Sequence, residues 1–169
     1  MSQPQVLIIM GSDSDLPVMQ EAAHILEKFG VRYEIRISSA HRSPERTAEI
    51  AAQAAARGVG VIIAGAGMAA HLAGVIASGT TLPVIGVPMP GGALNGVDAL
   101  YATVQMPGGI PVATMAIGKA GAKNAGIFAV QVLALSDERL AEMLLEYRRQ
   151  MAEEVEQKDA ALQAERITK

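Results

Sequence analysis

One long segment of the chain carries almost no charge. Between Gly58 and Gly118 the only charged side chain is Asp98, whereas the rest of the 169-residue chain carries the other 30. Glycine and proline interrupt this segment throughout, so it contains no apolar run of about 18 residues that could span a bilayer. Helices that face solvent normally carry Lys, Glu and Arg on their outer side. We therefore expect strands and small-residue helices that are buried in a core, in an interface between copies, or in both.

The chain alternates strand and helix patterns with short connections. Continuous apolar runs such as Gln5–Met10 are typical of strands covered on both faces, and Leu16–Phe29 shows helical spacing before Gly30. Arg32–Ser38 alternates polar and apolar residues, as an outer strand would. Further strands are predicted at Val59–Ala64, Pro83–Val87 and Val112–Ile117, and helices at 44–57, Ala69–Ser78, Leu94–Val104 and Ala120–Leu135. Repeated βα units predict a flavodoxin-like α/β fold with a parallel sheet.

The last segment, residues 137–169, is predicted to be an extra C-terminal helix and tail. Asp137–Arg166 is highly charged, with one apolar stripe at helical spacing. We expect the stripe to pack on the rest of the chain or on a neighbouring copy. Residues 1–169 as a whole are predicted to form a single domain.

Composition excludes several classes of function. A net charge of -3 argues against general affinity for nucleic acid or anionic membranes. The absence of cysteine excludes a disulfide scaffold, a thiolate nucleophile and a cysteine-based metal site. The three histidines are scattered and have no carboxylate cluster beside them, so we expect no metal and no cofactor. The N-terminus has no basic stretch before its apolar run, unlike a signal peptide, and a cytoplasmic location is expected.

Four segments follow predicted strands, at the edge where parallel sheets bind ligands. They are Gly11–Asp15, Ser38–Arg42, Gly65–His71 and Met89–Gly96. The first offers hydroxyls and the exposed amides of a helix start, which suit a phosphate or sugar hydroxyls. Equally, Ser14 or Asp15 could serve only to cap the following helix.

The second segment places a histidine beside an arginine. Arg42 suits a phosphate, and His41 suits proton transfer near neutral pH. Because Ser43 and the proline after it already account for the start of the next helix, Ser39, His41 and Arg42 are left without a structural role.

The third segment is rich in glycine and ends in a histidine. Its glycines allow backbone to approach a flat ligand closely, and His71 is open to a catalytic or a structural role. His24 lies in the middle of a predicted helix and is interpreted as structural. Lys119, at a helix start, is interpreted as a solvated lysine.

At these same segments the chain resembles the N5-carboxyaminoimidazole ribonucleotide mutase family. The motifs are MGSDSD, SSAHRSPER, IIAGAGMAAHLAG, PVIGVP, ALNGVDALYATVQMPGGIPVAT and AIGKAGAKNAG, and the similarity runs from about Val6 to Leu135. The VQMPGGIPV segment is similar to the bacterial mutase class rather than to the class that carboxylates aminoimidazole ribonucleotide directly with CO2.

The resemblance implies a role for each matched position. It implies that His41 is the catalytic histidine and that Ser12, Asp15 and Arg42 bind ribose and phosphate. It places further residues around the base and the migrating carboxylate: Ser14, Ser39, Gly67 and His71. It also implies a three-layer sandwich and a homo-octamer.

The chain departs from the family pattern at three places. Met68 and Ala73 stand where the family usually has glycine and proline, and Pro90-Gly91 stands where it often has Gln-Ser. These changes affect the shape of the pocket and the rigidity of its loops more than its chemistry.

The expected function is that of an isomerase in purine (IMP) biosynthesis. It would convert N5-carboxyaminoimidazole ribonucleotide to 4-carboxy-5-aminoimidazole ribonucleotide by decarboxylation and recarboxylation, with His41 as general acid and base. Two alternatives remain open: direct carboxylation of aminoimidazole ribonucleotide by CO2, and a non-catalytic nucleotide-binding module.

Overall fold

The computed structural model describes the backbone of residues 3–167 and the side chains of residues 3–165. Its contacts divide the chain into two compact units, Met1–Leu133 and Ala134–Lys169. The single-domain assignment therefore stays a prediction, and its terminal residues 1, 2, 168 and 169 lie outside the described part.

Strands and helices alternate over residues 6–134. The strands are β1 Val6–Met10, β2 Tyr33–Ile37, β3 Val61–Ala66, β4 Val84–Pro88 and β5 Ala113–Thr114. The helices are α1 Leu16–Lys28, α2 Pro44–Ala54, α3 Leu72–Ser78, α4 Val97–Val104 and α5 Lys119–Ala134, with short 3-10 turns at Asp13–Asp15 and Ala55–Arg57.

The five strands form one parallel sheet in the order β2-β1-β3-β4-β5. Every residue of β1 and β4 is buried, as their continuous apolar runs predict, while β2 alternates in sequence and lies at an edge. The predicted α/β fold with a parallel sheet is confirmed.

Helices cover both faces of this sheet. Leu7, Ile9 and Ile62 point to one face, where they pack in a cluster with residues of α2 and α3. Neighbouring strand residues point to the other face, and there a Cβ added to Gly65 would lie 2.5 Å from the sulfur of Met19 in α1. The helix α5 packs on α1, since a Cβ on Gly126 would lie 2.9 Å from Cβ of Ile25.

Several boundaries differ from the predictions. The strand predicted at Val112–Ile117 has only two ladder residues, because the neighbouring β4 ends in Pro88, which has no N–H to donate. The helix α3 begins at Leu72 rather than Ala69, and the loop before it contains Met68, whose φ of +53° is left-handed. The helix α4 begins at Val97 rather than Leu94, directly after Gly96 with φ +87°.

The second unit contains the predicted C-terminal helix, α6, at Glu138–Ile167. Asp137 caps its start by accepting a hydrogen bond from the backbone N–H of Leu140 (3.2 Å). Arg149 forms ion pairs with Glu146 and Glu153 at 2.8 and 2.9 Å along its surface. What its apolar stripe packs against stays a prediction. Within residues 3–167, no helix combines the length and apolar character needed to cross a bilayer.

Candidate active site

The loops that follow β1, β2, β3 and β4 surround one cavity of about 320 Å³. Backbone hydrogen bonds extend the sheet pairing into these loops, from Gly11 N–H to Gly65 O, Ser38 N–H to Met10 O and Met89 N–H to Ala66 O. All eight site residues predicted from the sequence line the cavity: Ser12, Ser14, Asp15, Ser39, His41, Arg42, Gly67 and His71. The structure thus brings the predicted positions together, at the edge of the sheet where they were expected.

The first loop holds its hydroxyls close together. Ser12 caps the 3-10 turn by accepting a hydrogen bond from Ser14 N–H (3.3 Å), and the Ser14 hydroxyl donates to Ser12 Oγ (2.9 Å). Asp15 stands at the N-cap position of α1, yet its carboxylate makes no capping hydrogen bond. Capping therefore does not occupy the Asp15 carboxylate, which lines the cavity.

Partial burial shifts the pKa of that carboxyl group. It raises the pKa of Asp15 above its ordinary value of 3.8, and the nearby charge of Asp13 adds to the rise. The neighbouring backbone N–H of Ser12 and the Ser14 hydroxyl favour the charged form and oppose the increase.

The second loop is fixed by serine hydroxyls. Ser43 stands at the N-cap position of α2, as predicted, but its hydroxyl makes no capping bond. It instead donates to the carbonyl of Ser39 and accepts from Ser39 N–H, both at 3.1 Å. Ser39 Oγ in turn accepts from Arg42 N–H (3.2 Å). Ser39 therefore does have a structural role, contrary to the sequence analysis, because its hydroxyl holds the turn that presents His41 and Arg42.

Two histidines from different loops are in direct contact. Nε2 of His41 lies 2.7 Å from Nδ1 of His71, and the rings meet edge to face with centroids 4.9 Å apart. One of these nitrogens must donate and the other accept, so the pair holds a proton between the rings. The second nitrogen of each ring makes no hydrogen bond among the described residues. The pair can therefore accept or deliver a proton at the cavity.

Arg42 is exposed and has no carboxylate partner among the described residues. A guanidinium at a cavity wall that is not neutralised by an acidic side chain suits a phosphate or a carboxylate group of a ligand.

The remaining wall is apolar and comes from the third and fourth loops. A Cβ on Gly67 would lie 3.2 Å from Cβ of Met89, so glycine keeps this part of the cavity open. Sequence reasoning did not single out the apolar lining residues Ala40, Ala66, Ala69, Leu72 and Met89. Their small or aliphatic side chains look like ordinary core residues, and only their position at or beyond the carboxyl end of a strand distinguishes them.

Other candidates lie outside the cavity. His24 is exposed on α1 and does not line it, and Lys119 is exposed and lies 3.8 Å from Glu21. Among the described residues, no group of three or more His, Cys, Asp or Glu side chains is placed to hold a metal ion.

Comparisons with known proteins identify the family of this chain. A family model described as AIR carboxylase matches residues 5–154. The N5-carboxyaminoimidazole ribonucleotide mutase of Thermotoga maritima is 57% identical over 160 residues, which cover 95% of this chain and 92% of that protein. The mutase of Mycobacterium tuberculosis is 52% identical over 161 residues, which cover 95% of this chain and 91% of that protein.

A solved structure has the same fold. The crystal structure of Treponema denticola PurE matches with a TM-score of 0.86 and 30% identity, covering 95% of this chain and 99% of that one. Sequence and fold agree over nearly the whole length, and the chain belongs to the AIR carboxylase family.

Proposed function

We propose that this chain is an N5-carboxyaminoimidazole ribonucleotide mutase, an isomerase of purine (IMP) biosynthesis that converts N5-carboxyaminoimidazole ribonucleotide to 4-carboxy-5-aminoimidazole ribonucleotide. The observation that carries the proposal is the identity of 57% and 52% to proteins of that name, over more than nine tenths of both lengths. The histidine pair at the cavity supplies a proton-transfer group suited to the reaction.

The reaction needs one proton to be given and one to be taken back. The carbamate C–N bond breaks when the exocyclic nitrogen is protonated, and CO2 leaves. The ring carbon then forms a C–C bond to that CO2 and loses its own proton. His41 performs both transfers in this proposal, since an imidazole exchanges protons readily near neutral pH. His71, in contact with Nε2 of His41, orients the ring and shares the proton.

The other lining residues bind and orient the nucleotide. Arg42 holds the phosphate, while Ser12 and Asp15 hold the phosphate and ribose end. Ser14, Ser39 and Gly67 lie around the base and the migrating carboxylate, with His71. Because the cavity keeps CO2 beside the ring carbon, its effective concentration is high, and the step needs no ATP, biotin or metal.

An ultraviolet assay tests this function against its alternatives. We expect turnover of the carbamate substrate without ATP, bicarbonate or divalent metal, and unchanged by excess EDTA. Consumption of aminoimidazole ribonucleotide that depends on added CO2, without carbamate turnover, would identify a direct carboxylase. Nucleotide binding with neither reaction would identify a non-catalytic module. Loss of activity on chelation, restored by one metal, would contradict the cofactor-free mechanism.

The Asp15 carboxylate gives a prediction about pH. Its pKa is raised in the folded chain, so folding favours the protonated form, and its contribution to stability falls as pH rises through that raised pKa. We expect Asp15→Asn to leave the thermal midpoint at neutral pH unchanged or higher. The same substitution should weaken nucleotide binding by about tenfold or more, because it removes a charged hydrogen-bond acceptor.

Thermal unfolding and nucleotide titration of Asp15→Asn and Asp13→Asn test this prediction. Asp13 belongs to the same loop but does not line the cavity, so Asp13→Asn removes an equal charge and should bind normally. A lower midpoint for Asp15→Asn than for Asp13→Asn at neutral pH would mean that the Asp15 charge stabilises the fold.

We also propose that the protein is a cytoplasmic homo-oligomer. The octameric state is inferred from the family resemblance. Three apolar side chains at helical spacing form an exposed face of α4, here called the α4 stripe: Val97, Tyr101 and Val104, which are 43%, 62% and 47% exposed. Leu94, in the turn before the helix, is 60% exposed. Apolar side chains grouped in this way support association with another copy.

A further inference from the structure

Met68 adopts a backbone conformation that is unfavourable for its side chain. Its φ is +53°, and among the described residues Asn95 is the only other non-glycine residue with positive φ. Asparagine tolerates this region because its short polar side chain hydrogen-bonds locally, whereas methionine has no such compensation. Strain of this kind is concentrated at functional sites, where the surrounding structure enforces it.

The side chain of Met68 reaches from one loop of the cavity to the next. Met68 follows β3 and lines the cavity, yet it is 63% exposed. Its Cγ lies 3.4 Å from the position that a Cβ would occupy on Gly92, which follows β4. Gly92, with φ +65° and no side chain, leaves room for the thioether arm. The arm therefore crosses the gap between these two loops at the surface of the cavity.

The wall beside this arm is apolar. Ala66, Ala69 and Leu72 line the cavity from the β3 side, and Met89 lines it from the β4 side. A neutral ligand such as CO2 has no charge and no hydrogen-bond donor. Its oxygens accept only weak hydrogen bonds, so apolar contact and the absence of an open path outward are the main means of retaining it.

We propose that Met68 is a cover residue that retains CO2 between the two halves of the reaction, an inference that rests on the proposed mutase function. Decarboxylation leaves the electron pair of the C–N bond on nitrogen, which takes a proton. The ring carbon then bonds to CO2 and releases a proton, so no oxidant or reductant is needed. Between these steps CO2 is unattached, and the Met68 arm closes the route between the β3 and β4 loops.

The test measures how much of the carboxylate is retained. The substrate carries a ¹³C-labelled carbamate in unlabelled bicarbonate buffer. Two quantities are recorded, each corrected for the reaction that occurs without enzyme. They are the ¹³C content of the product and the free aminoimidazole ribonucleotide released per product formed. Met68→Ala keeps Cβ and the strained backbone but loses the arm, Met68→Gly loses both, and Met68→Leu keeps an apolar arm.

We expect Met68→Ala and Met68→Gly each to increase the aminoimidazole ribonucleotide released per product formed by about fivefold. This is the effect of losing the apolar contact of one partly buried side chain. Met68→Leu should stay within about twofold of the wild type. Equal retention of the ¹³C label in Met68→Ala and the wild type would overturn the proposal. Increased release of aminoimidazole ribonucleotide in Met68→Gly alone would also overturn it, because the backbone conformation rather than the side chain would then be responsible. Complete exchange of label in the wild type would also overturn it. If the wild type forms no product from the carbamate, the proposed function fails instead.

Discussion

Replacing His41 with asparagine is expected to reduce turnover by about 10²–10⁴-fold, the usual contribution of one acid–base group. Asparagine keeps a polar side chain, but it is too short to reach the Nε2 position that contacts His71 and it cannot exchange a proton near neutral pH. Arg42, Ser12 and Asp15 remain in place, so the affinity for aminoimidazole ribonucleotide should change little. Steady-state rates and calorimetric titration of the same preparation measure the two effects separately.

Two matched variants make this result specific. His24→Asn changes an exposed histidine outside the cavity and should retain normal turnover and binding. Arg42→Ala should chiefly weaken binding, by roughly 10- to 100-fold, because a charge-assisted hydrogen bond contributes about 1.5–3 kcal/mol. Near-normal turnover of His41→Asn would show that His41 is not the proton-transfer group, and His71 would become the next candidate.

The sequence was sufficient to predict the parallel sheet and the edge of the sheet at which the candidate residues lie. Continuous apolar runs identified the buried strands β1, β3 and β4, and the alternation in β2 identified an edge. Since parallel strands place their carboxyl ends at the same edge, the loops after them could be expected to meet. The eight predicted positions line one cavity for this reason.

Contacts between loops could not be predicted in the same way. His41 and His71 are 30 residues apart, and their 2.7 Å contact depends on how two loops fold rather than on any local pattern. The role of Ser39 was missed because its hydroxyl accepts from a backbone N–H three residues later, a contact that the general preference for serine at helix starts does not reveal. The position of the Met68 arm likewise follows from a left-handed backbone that methionine rarely adopts.

Burial within one chain also changes how self-association should be tested. The helix predicted at Ala120–Leu135 is rich in small and apolar side chains, and its Ala129 is one position where a charge could be introduced to test self-association. Ala129 is fully buried within the chain itself, so Ala129→Glu would place a charge in the core and destabilise each subunit. A test of assembly needs a side chain that the chain leaves exposed.

Tyr101, in the middle of the α4 stripe, meets that requirement at 62% exposure. We expect Tyr101→Glu to leave the far-ultraviolet circular dichroism of the subunit intact, because little of this side chain is packed within its own chain. The carboxylate would have to be desolvated wherever a second copy covers the stripe, and an unpaired buried charge is strongly unfavourable. Light scattering at low micromolar concentration should therefore show smaller species for Tyr101→Glu, while Tyr101→Phe, which keeps the apolar ring, should assemble like the wild type. An active wild-type monomer would refute the oligomer outright, and unchanged assembly of Tyr101→Glu would show that the copies meet through another face.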